Sequence, residues 1–224
     1  MEKKNVTNSL DKIIGYYKEI KRLRGLVEDK KQELNSRDSV KRYTTESRQE
    51  ELDTFVSDCR TKEKTIREKM KQEVKNIEAE VCQGFEYNPE LIQEIDFLAT
   101  MARAGAISAN MILATANKYK GSEPTLLYLK QKLKDAGLDA SPIDNLLFSG
   151  SDTDLSGNSY FVPPTKYFNS LSADIQSGLD GIALIHNLEM ISNKTGAEST
   201  SLQNLKTEIK ENLDKSMNNM LPVF

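Results

Sequence analysis

The first third of the chain constrains the fold most strongly. Between Leu10 and Val81 the sequence has no proline, only two glycines and a high density of charged residues. Apolar residues recur in this region at every third or fourth position, which is the spacing of an amphipathic helix. Such a helix carries an apolar stripe that must be covered by another helix. We therefore expect two long helices that pack against each other or against a second chain.

The seam of the first helix runs from about Thr7 to Leu34, with Arg24 and Lys31 interrupting it. In the second helix the apolar residues are spaced alternately four and three positions apart as far as Val81. This spacing is typical of a coiled-coil seam, and Glu63 is the one polar residue in it. From these positions we predict partner-binding residues, whether the partner is the other arm or another chain: Leu10, Ile13, Tyr17, Ile20, Val27, Leu52, Val56, Ile66, Met70 and Ile77.

A polar break separates the two arms. Residues 35–39 form the most polar stretch of the region, and a group of possible helix caps, Thr44, Thr45 and Ser47, follows it. Because the arms have similar lengths, we predict that residues 1–83 form an antiparallel hairpin on the order of 40 Å long. One continuous helix that pairs between chains remains the alternative, since no glycine or proline marks the turn.

A smaller helical body is predicted over residues 84–148. Asn88 and Pro89 are typical of a helix start, and the helix they open is expected to continue to about Tyr119. Its many alanines predict close packing, as the central buried helix of the body. A further helix is expected from Ser122, and a short one from Ser141 through Phe148.

The remainder is predicted as a polar loop at 149–169 and a C-terminal helical pair at 170–224. Tyr160, Phe161 and Val162 are candidates for a short strand within the loop. The pair is expected at about 172–194 and 200–217. The apolar tail residues Leu221, Val223 and Phe224 are predicted to dock on the body or on another subunit. The fold class is therefore all-α.

Composition agrees with helices that leave much of their surface in water. The chain is 38% hydrophobic and 29% charged, and it has no tryptophan. Its net charge of −3 is unevenly spread, but the imbalance is too weak to indicate a nucleic-acid partner, which normally binds a clustered basic face. Cys59 and Cys82 lie on one predicted helix, roughly 35 Å apart, so they cannot bridge each other there. Reduced cysteines and a polar N-terminus without a signal-peptide pattern predict a cytoplasmic location.

Candidate metal and catalytic residues are few. His186 is the only histidine, and Glu189 lies on the same predicted helix face, but a di-metal carboxylate site needs a second such pair. Asp152 and Asp154 match the first half of a calcium loop, whereas its twelfth position is Pro163 instead of glutamate. We therefore predict no metal site and no cofactor.

Two short motifs resemble parts of penicillin-interacting serine enzymes. They are Ser9 with Lys12, and Lys194-Thr195-Gly196. Both lie at predicted helix ends, although the second motif belongs on a strand, and the third motif of those enzymes is missing. We interpret both as coincidence and predict no catalytic residue and no enzyme activity.

The expected function is structural. A charged coiled coil with an apolar tail and no catalytic set is typical of a subunit that self-associates or binds protein partners, such as a bacteriophage virion, connector or scaffolding component in the host cytoplasm or the virion. A homo-oligomer is expected, without a membrane, because the uncharged stretch at 104–116 is too short to span one. The alternative is a nucleic-acid-associated or inhibitory binding protein that uses the basic residues of the first helix: Lys18, Lys21, Arg22, Lys30 and Lys31.

Overall fold

A computed structural model describes residues 3–85, 88–153, 156–178 and 180–220. These residues are predominantly helical, as predicted. Their helices are α1 (Lys3–Leu34), α2 (Arg37–Arg42), α3 (Thr45–Val81), α4 (Pro89–Arg103), α5 (Ala109–Lys118), α6 (Glu123–Asp135), α7 (Ser141–Asp144), α8 (Pro164–Ser177), α9 (Gly181–Thr195) and α10 (Thr200–Met220). Strands β1 (Gly150–Thr153) and β2 (Ser159–Val162) form an antiparallel pair in which Gly150 faces Val162.

The long N-terminal helices form an antiparallel hairpin, so the prediction of a hairpin is confirmed over that of one continuous helix. Polar contacts between α1 and α3 show the direction. Asn5 bonds to Glu80 at 2.9 Å near the start of α1, and Arg24 pairs with Glu63 at 2.8 Å further along. The short helix α2 lies in the turn. The side chain of Thr44 caps α3 by accepting a hydrogen bond from the Ser47 N–H.

The C-terminal helices α8, α9 and α10 pack along the hairpin and share its hydrophobic core. The guanidinium of Arg67 in α3 donates to the carbonyl of Ile175 in α8, and Lys21 in α1 pairs with Glu208 in α10 at 3.1 Å. These helices cover α1 and α3 on sides that the hairpin alone would leave open. This explains why Ile14 and Leu23, which widen the predicted stripe, are buried as well as the seam.

Helices α4 to α7 form a second hydrophobic core of their own. Leu147 belongs to this second core, whereas the next residue, Phe148, belongs to the first. At this junction the buried carboxylate of Glu123 accepts hydrogen bonds from the backbone N–H groups of Phe148, at 3.0 Å, and Ser149, at 2.7 Å. The Glu123 side chain therefore fixes the point where the chain passes between the two cores.

The predicted continuous helix from Asn88 to Tyr119 is wrong. The chain leaves the helix after Arg103, passes through Gly105 at a φ of 69°, and starts α5 with Ser108 as its cap. A left-handed residue cannot continue an α-helix, and glycine adopts that conformation without steric cost. The predicted close packing holds for Ala99, Ala102 and Ala116, which are buried, but Ala104 and Ala106 at the break are exposed.

Two predictions in the C-terminal half also need correction. The single helix expected at 172–194 is two helices, because Gly178 ends α8 at a φ of 109° and Asp180 caps α9. As a result Ile182, which would lie on the apolar face of one continuous helix, is 56% exposed. Residues 149–169 contain the predicted strand at 160–162, its partner strand and the start of α8, so they are not a simple linker, and the C-terminal pair is three helices. The helix at Ser141 is also shorter than predicted, because it ends at Asp144.

Candidate protein-binding groove on the helical hairpin

Most of the predicted partner-binding residues lie in the chain's own core. Six of them are buried: Leu10, Ile13, Ile20, Ile66, Met70 and Ile77. Tyr17, Val27, Leu52 and Val56 are partly exposed. Leu221, Val223 and Phe224 lie outside the described residues. A second chain could therefore reach the six buried positions only by displacing a helix that covers them, and a partner role for the seam stays a prediction.

The ion pair between Arg24 and Glu63 marks the end of the well-covered part of the hairpin. Beyond it, α1 and α3 leave a groove of about 810 Å³ between them. We call this the distal groove. It is lined by Leu26, Asp29, Lys30, Glu33, Ser47, Glu50, Glu51, Thr54, Phe55 and Asp58.

The distal groove contains accessible apolar side chains. Leu26 in α1 is 37% exposed, and Phe55 in α3 is partly buried against the core. Each is the neighbour of a seam residue, Val27 or Val56, so each lies just outside the seam. An apolar surface at the edge of a two-helix seam can be covered by a third helix, in the manner of a helix that binds in a groove.

The rim of the distal groove is strongly acidic. Five carboxylates and one ammonium group line it, which gives a net charge of −4. Lys30 pairs with Glu51 at 2.7 Å and with Glu33 at 3.3 Å, and the hydrogen bond to Glu51 raises the pKa of Lys30. The other three carboxylates have no ion pair with any described residue: Asp29, Glu50 and Asp58. A positively charged ligand would find these three unneutralised.

The turn that closes the hairpin, residues 35–44, is well ordered by local hydrogen bonds. We call it the tip. Ser36 caps α2 by accepting from the Ser39 N–H, and the Arg48 guanidinium donates to the Leu34 carbonyl at 3.1 Å. Helix α2 contains no buried residue. Val40 and Tyr43 are therefore held in a defined geometry while 51% and 53% exposed.

A polar cluster at the other end of the hairpin brings together residues that the sequence analysis dismissed. The Ser9 hydroxyl donates to the Glu73 carboxylate at 2.8 Å, and Lys12 pairs with the same carboxylate at 3.0 Å. Burial alone would raise the pKa of Glu73, but the hydrogen bonds from Lys12, Ser9 and Asn76 outweigh it and lower that pKa. A carboxylate held in its charged form is a weak base, so it does not activate Ser9 as a nucleophile. The cluster instead ties α1 to α3.

The other candidate residues are dispersed. His186 is exposed on α9. Asp152 lies in β1, and Asp154 falls outside the described residues. Among the described residues, no group of three or more histidine, cysteine or acidic side chains is placed to hold a metal ion. Of the basic residues of α1, Lys18 and Lys21 both pair with Glu208 and Lys30 pairs with Glu51, whereas Arg22 and Lys31 are exposed.

Comparison with known proteins gives no relative. No family model matches the chain, and no curated protein or solved structure matches it significantly. None of the described helices combines the length and the apolar character needed to cross a membrane.

The seam residues alone do not predict the distal groove. Leu26 and Phe55 stand outside the strict seam positions and so received no role. A usable signal was present, since apolar residues directly beside seam residues indicate that a helix is covered on more than one side.

Proposed function

We propose that the chain is a non-enzymatic structural or assembly protein that binds a protein partner through the distal groove. The ligand class is an amphipathic helical segment with a basic polar face. The observation that carries the proposal is the combination, in one groove, of accessible apolar side chains with three carboxylates that no described residue neutralises.

The chemistry of the groove supports this ligand class over others. Leu26 and Phe55 offer apolar contact, which a third helix can cover with residues at helical spacing. The acidic rim would attract lysine and arginine and would repel the phosphates of a nucleic acid. The alternative of a nucleic-acid-binding protein has less support, because Lys18 and Lys21 pair with Glu208 and Lys30 pairs with Glu51, which leaves only Arg22 and Lys31 of its five basic residues outside these ion pairs.

A peptide-binding experiment tests the proposal. Two fluorescent helical peptides would share the same apolar positions, one with lysines and the other with glutamates on the polar face. We expect fluorescence anisotropy to show binding of the basic peptide only. Phe55→Ser should weaken that binding about tenfold or more, as loss of an aromatic anchor does.

Phe97→Ser is the matched control, because Phe97 is 61% exposed on α4 and lies outside the groove. This variant should bind the basic peptide as the wild type does. Equal binding of both peptides, or equal effects of the two substitutions, would contradict a specific groove. Preferential binding of an anionic oligonucleotide in the same assay would favour the alternative function.

The assignment to a bacteriophage virion, connector or scaffold is a narrower hypothesis. It draws on the general character of the sequence, namely a charged coiled coil without a catalytic set, and it stays a prediction.

A further inference from the structure

Building on the proposed function, we propose that the occupant of the distal groove is the tip of a second copy of this chain. Two hairpins would then pair head to head, with each tip in the groove of the other copy. The inference rests on charge, apolar surface and geometry.

The charges of the tip and the groove are complementary. The tip carries Arg37, Lys41 and Arg42 against a single acid, Asp38, so its net charge is +2. The distal groove carries −4. Opposite potentials of this kind steer two surfaces together and fix their relative orientation.

The apolar surfaces match as well. Val40 and Tyr43 project from the tip at 51% and 53% exposure, and α2 buries none of its side chains within the chain. The groove offers Leu26 and Phe55. Tyrosine is favoured at protein interfaces, because its ring buries a large area while its hydroxyl stays hydrated.

The dimensions permit the contact. Helix α2 has six residues and is roughly 9 Å long, whereas the α1 wall of the groove from Leu26 to Glu33 is roughly 11 Å long. A tip cannot enter the groove of its own chain, since only residues 35 and 36 separate α1 from α2 and the caps at Ser36 and Thr44 fix both helix starts.

Symmetry strengthens a head-to-head arrangement. Because groove and tip adjoin on the same hairpin, a two-fold axis between two antiparallel hairpins generates both contacts at once. In such a two-fold dimer the contact between tip and groove forms twice. Both tips and both grooves are then occupied, so a third copy cannot add.

A charge-reversal experiment on the full chain tests this arrangement. The tip variant is Lys41→Glu with Arg42→Glu, which changes the net charge of the tip from +2 to −2. The groove variant is Asp29→Lys with Glu50→Lys and Asp58→Lys, which changes the net charge of the groove from −4 to +2. Light scattering after size exclusion should show the wild type rising from the 25.3 kDa monomer towards twice that mass as concentration increases. For each variant alone the dissociation constant of the dimer should rise about tenfold or more, because like charges then face each other at both tip–groove contacts.

An equal mixture of the two variants should recover the dimer. In that mixture an acidic tip meets a basic groove, and the unaltered basic tip meets the unaltered acidic groove. A control with Asp174→Lys and Glu211→Lys, which reverses two exposed acids elsewhere, should dimerise as the wild type does. Circular dichroism would verify the helix content of every variant. If the tip reversal unfolds the chain, Val40→Ser with Tyr43→Ser replaces it and should also reduce dimerisation.

The results separate this inference from the proposed function. A wild-type chain that stays monomeric at its highest soluble concentration, while still binding the basic peptide, would overturn the inference and leave the proposed function standing. A dimer that neither reversal weakens, or that the mixture does not recover, would place self-association elsewhere and also overturn it. Absence of both dimer and peptide binding would overturn both proposals.

Discussion

Glu123 provides the most direct test of how the two cores are joined. Its carboxylate is 3% exposed and accepts two backbone N–H groups, those of Phe148 and Ser149, which are themselves buried. Glu123→Ala removes both acceptors without offering water a path to the freed groups. An unsatisfied buried donor costs about 1–3 kcal/mol, so the two together should lower the free energy of unfolding by about 2–6 kcal/mol.

Urea denaturation followed by circular dichroism measures this loss. With a denaturant dependence of about 2 kcal/mol per molar, even the lower limit moves the midpoint down by about 1 M. Hydrogen exchange should also show the amides of Phe148 and Ser149 losing protection selectively. Glu123→Gln keeps one acceptor oxygen and should fall between the wild type and the alanine variant.

Glu90→Ala is the matched control. Glu90 lies in the first turn of α4, as Glu123 does in α6, but it is exposed and accepts no backbone N–H beyond the helix. Its removal should cost about 0.3–1 kcal/mol, which is the usual size of the helix-dipole effect. Equal midpoints for the alanine variants of Glu90 and Glu123 would refute the account of the junction.

Three further results are expected. Gly181→Ala should lower the free energy of unfolding by about 1–3 kcal/mol, because the new Cβ would overlap the Tyr17 hydroxyl, and a thermal melt would show this as a lower midpoint. Gly25 lies inside α1 and faces open space, so Gly25→Ala should raise the free energy of unfolding by about 0.5–1 kcal/mol. The pKa of Glu73 is lower in the folded state than its ordinary value of 4.5. The stabilisation from Glu73 should therefore be complete above pH 4.5 and should be lost as the pH falls through the folded-state pKa. Glu73→Gln should accordingly flatten the acid side of a curve of unfolding free energy against pH. Burial raises the pKa of Cys82 from 9.0 to about 11, so native alkylation by iodoacetamide at pH 8, read by peptide mass spectrometry, should be about 100-fold slower than in urea.

The sequence predicted the hairpin because its seam is long and regular. It also contains a second signal, which concerns how the two helices pair. Arg24 interrupts the seam of α1 and Glu63 interrupts that of α3, and in the structure these two interruptions meet at 2.8 Å. Charges of opposite sign at unfavourable positions in two helices can therefore indicate which turns lie side by side.

The helix breaks at Gly105 and Gly178 were harder to predict. Alanine-rich and isoleucine-rich sequences continue past both glycines with helical spacing, so periodicity alone favours one helix. Local backbone conformation ends the helix at both sites, because each glycine adopts a positive φ and a capping residue, Ser108 or Asp180, follows within a few positions. A glycine followed within a few residues by a capping side chain therefore indicates a helix break even where the apolar spacing continues.

The chemistry of the distal groove depends on the register of α1 against α3, which the apolar seam alone does not fix. The abundance of acids in this region is evident from the sequence, but which of them remain unpaired depends on the register of α1 against α3. Lys30 reaches Glu51 across the hairpin only because of that register. The same register brings Leu26 and Phe55 to a single groove.

The uneven covering of the hairpin has a consequence for its dynamics. Near the chain start, α1 and α3 share a core with three additional helices, whereas beyond Arg24 they line the open distal groove. The free energy of local opening should therefore decline towards residues 35–44, and amide deuteration there should be the fastest of the hairpin. A molecule that binds at that end would slow the deuteration. The exchange rate of the least stable turns of the hairpin therefore reports whether the distal groove is occupied.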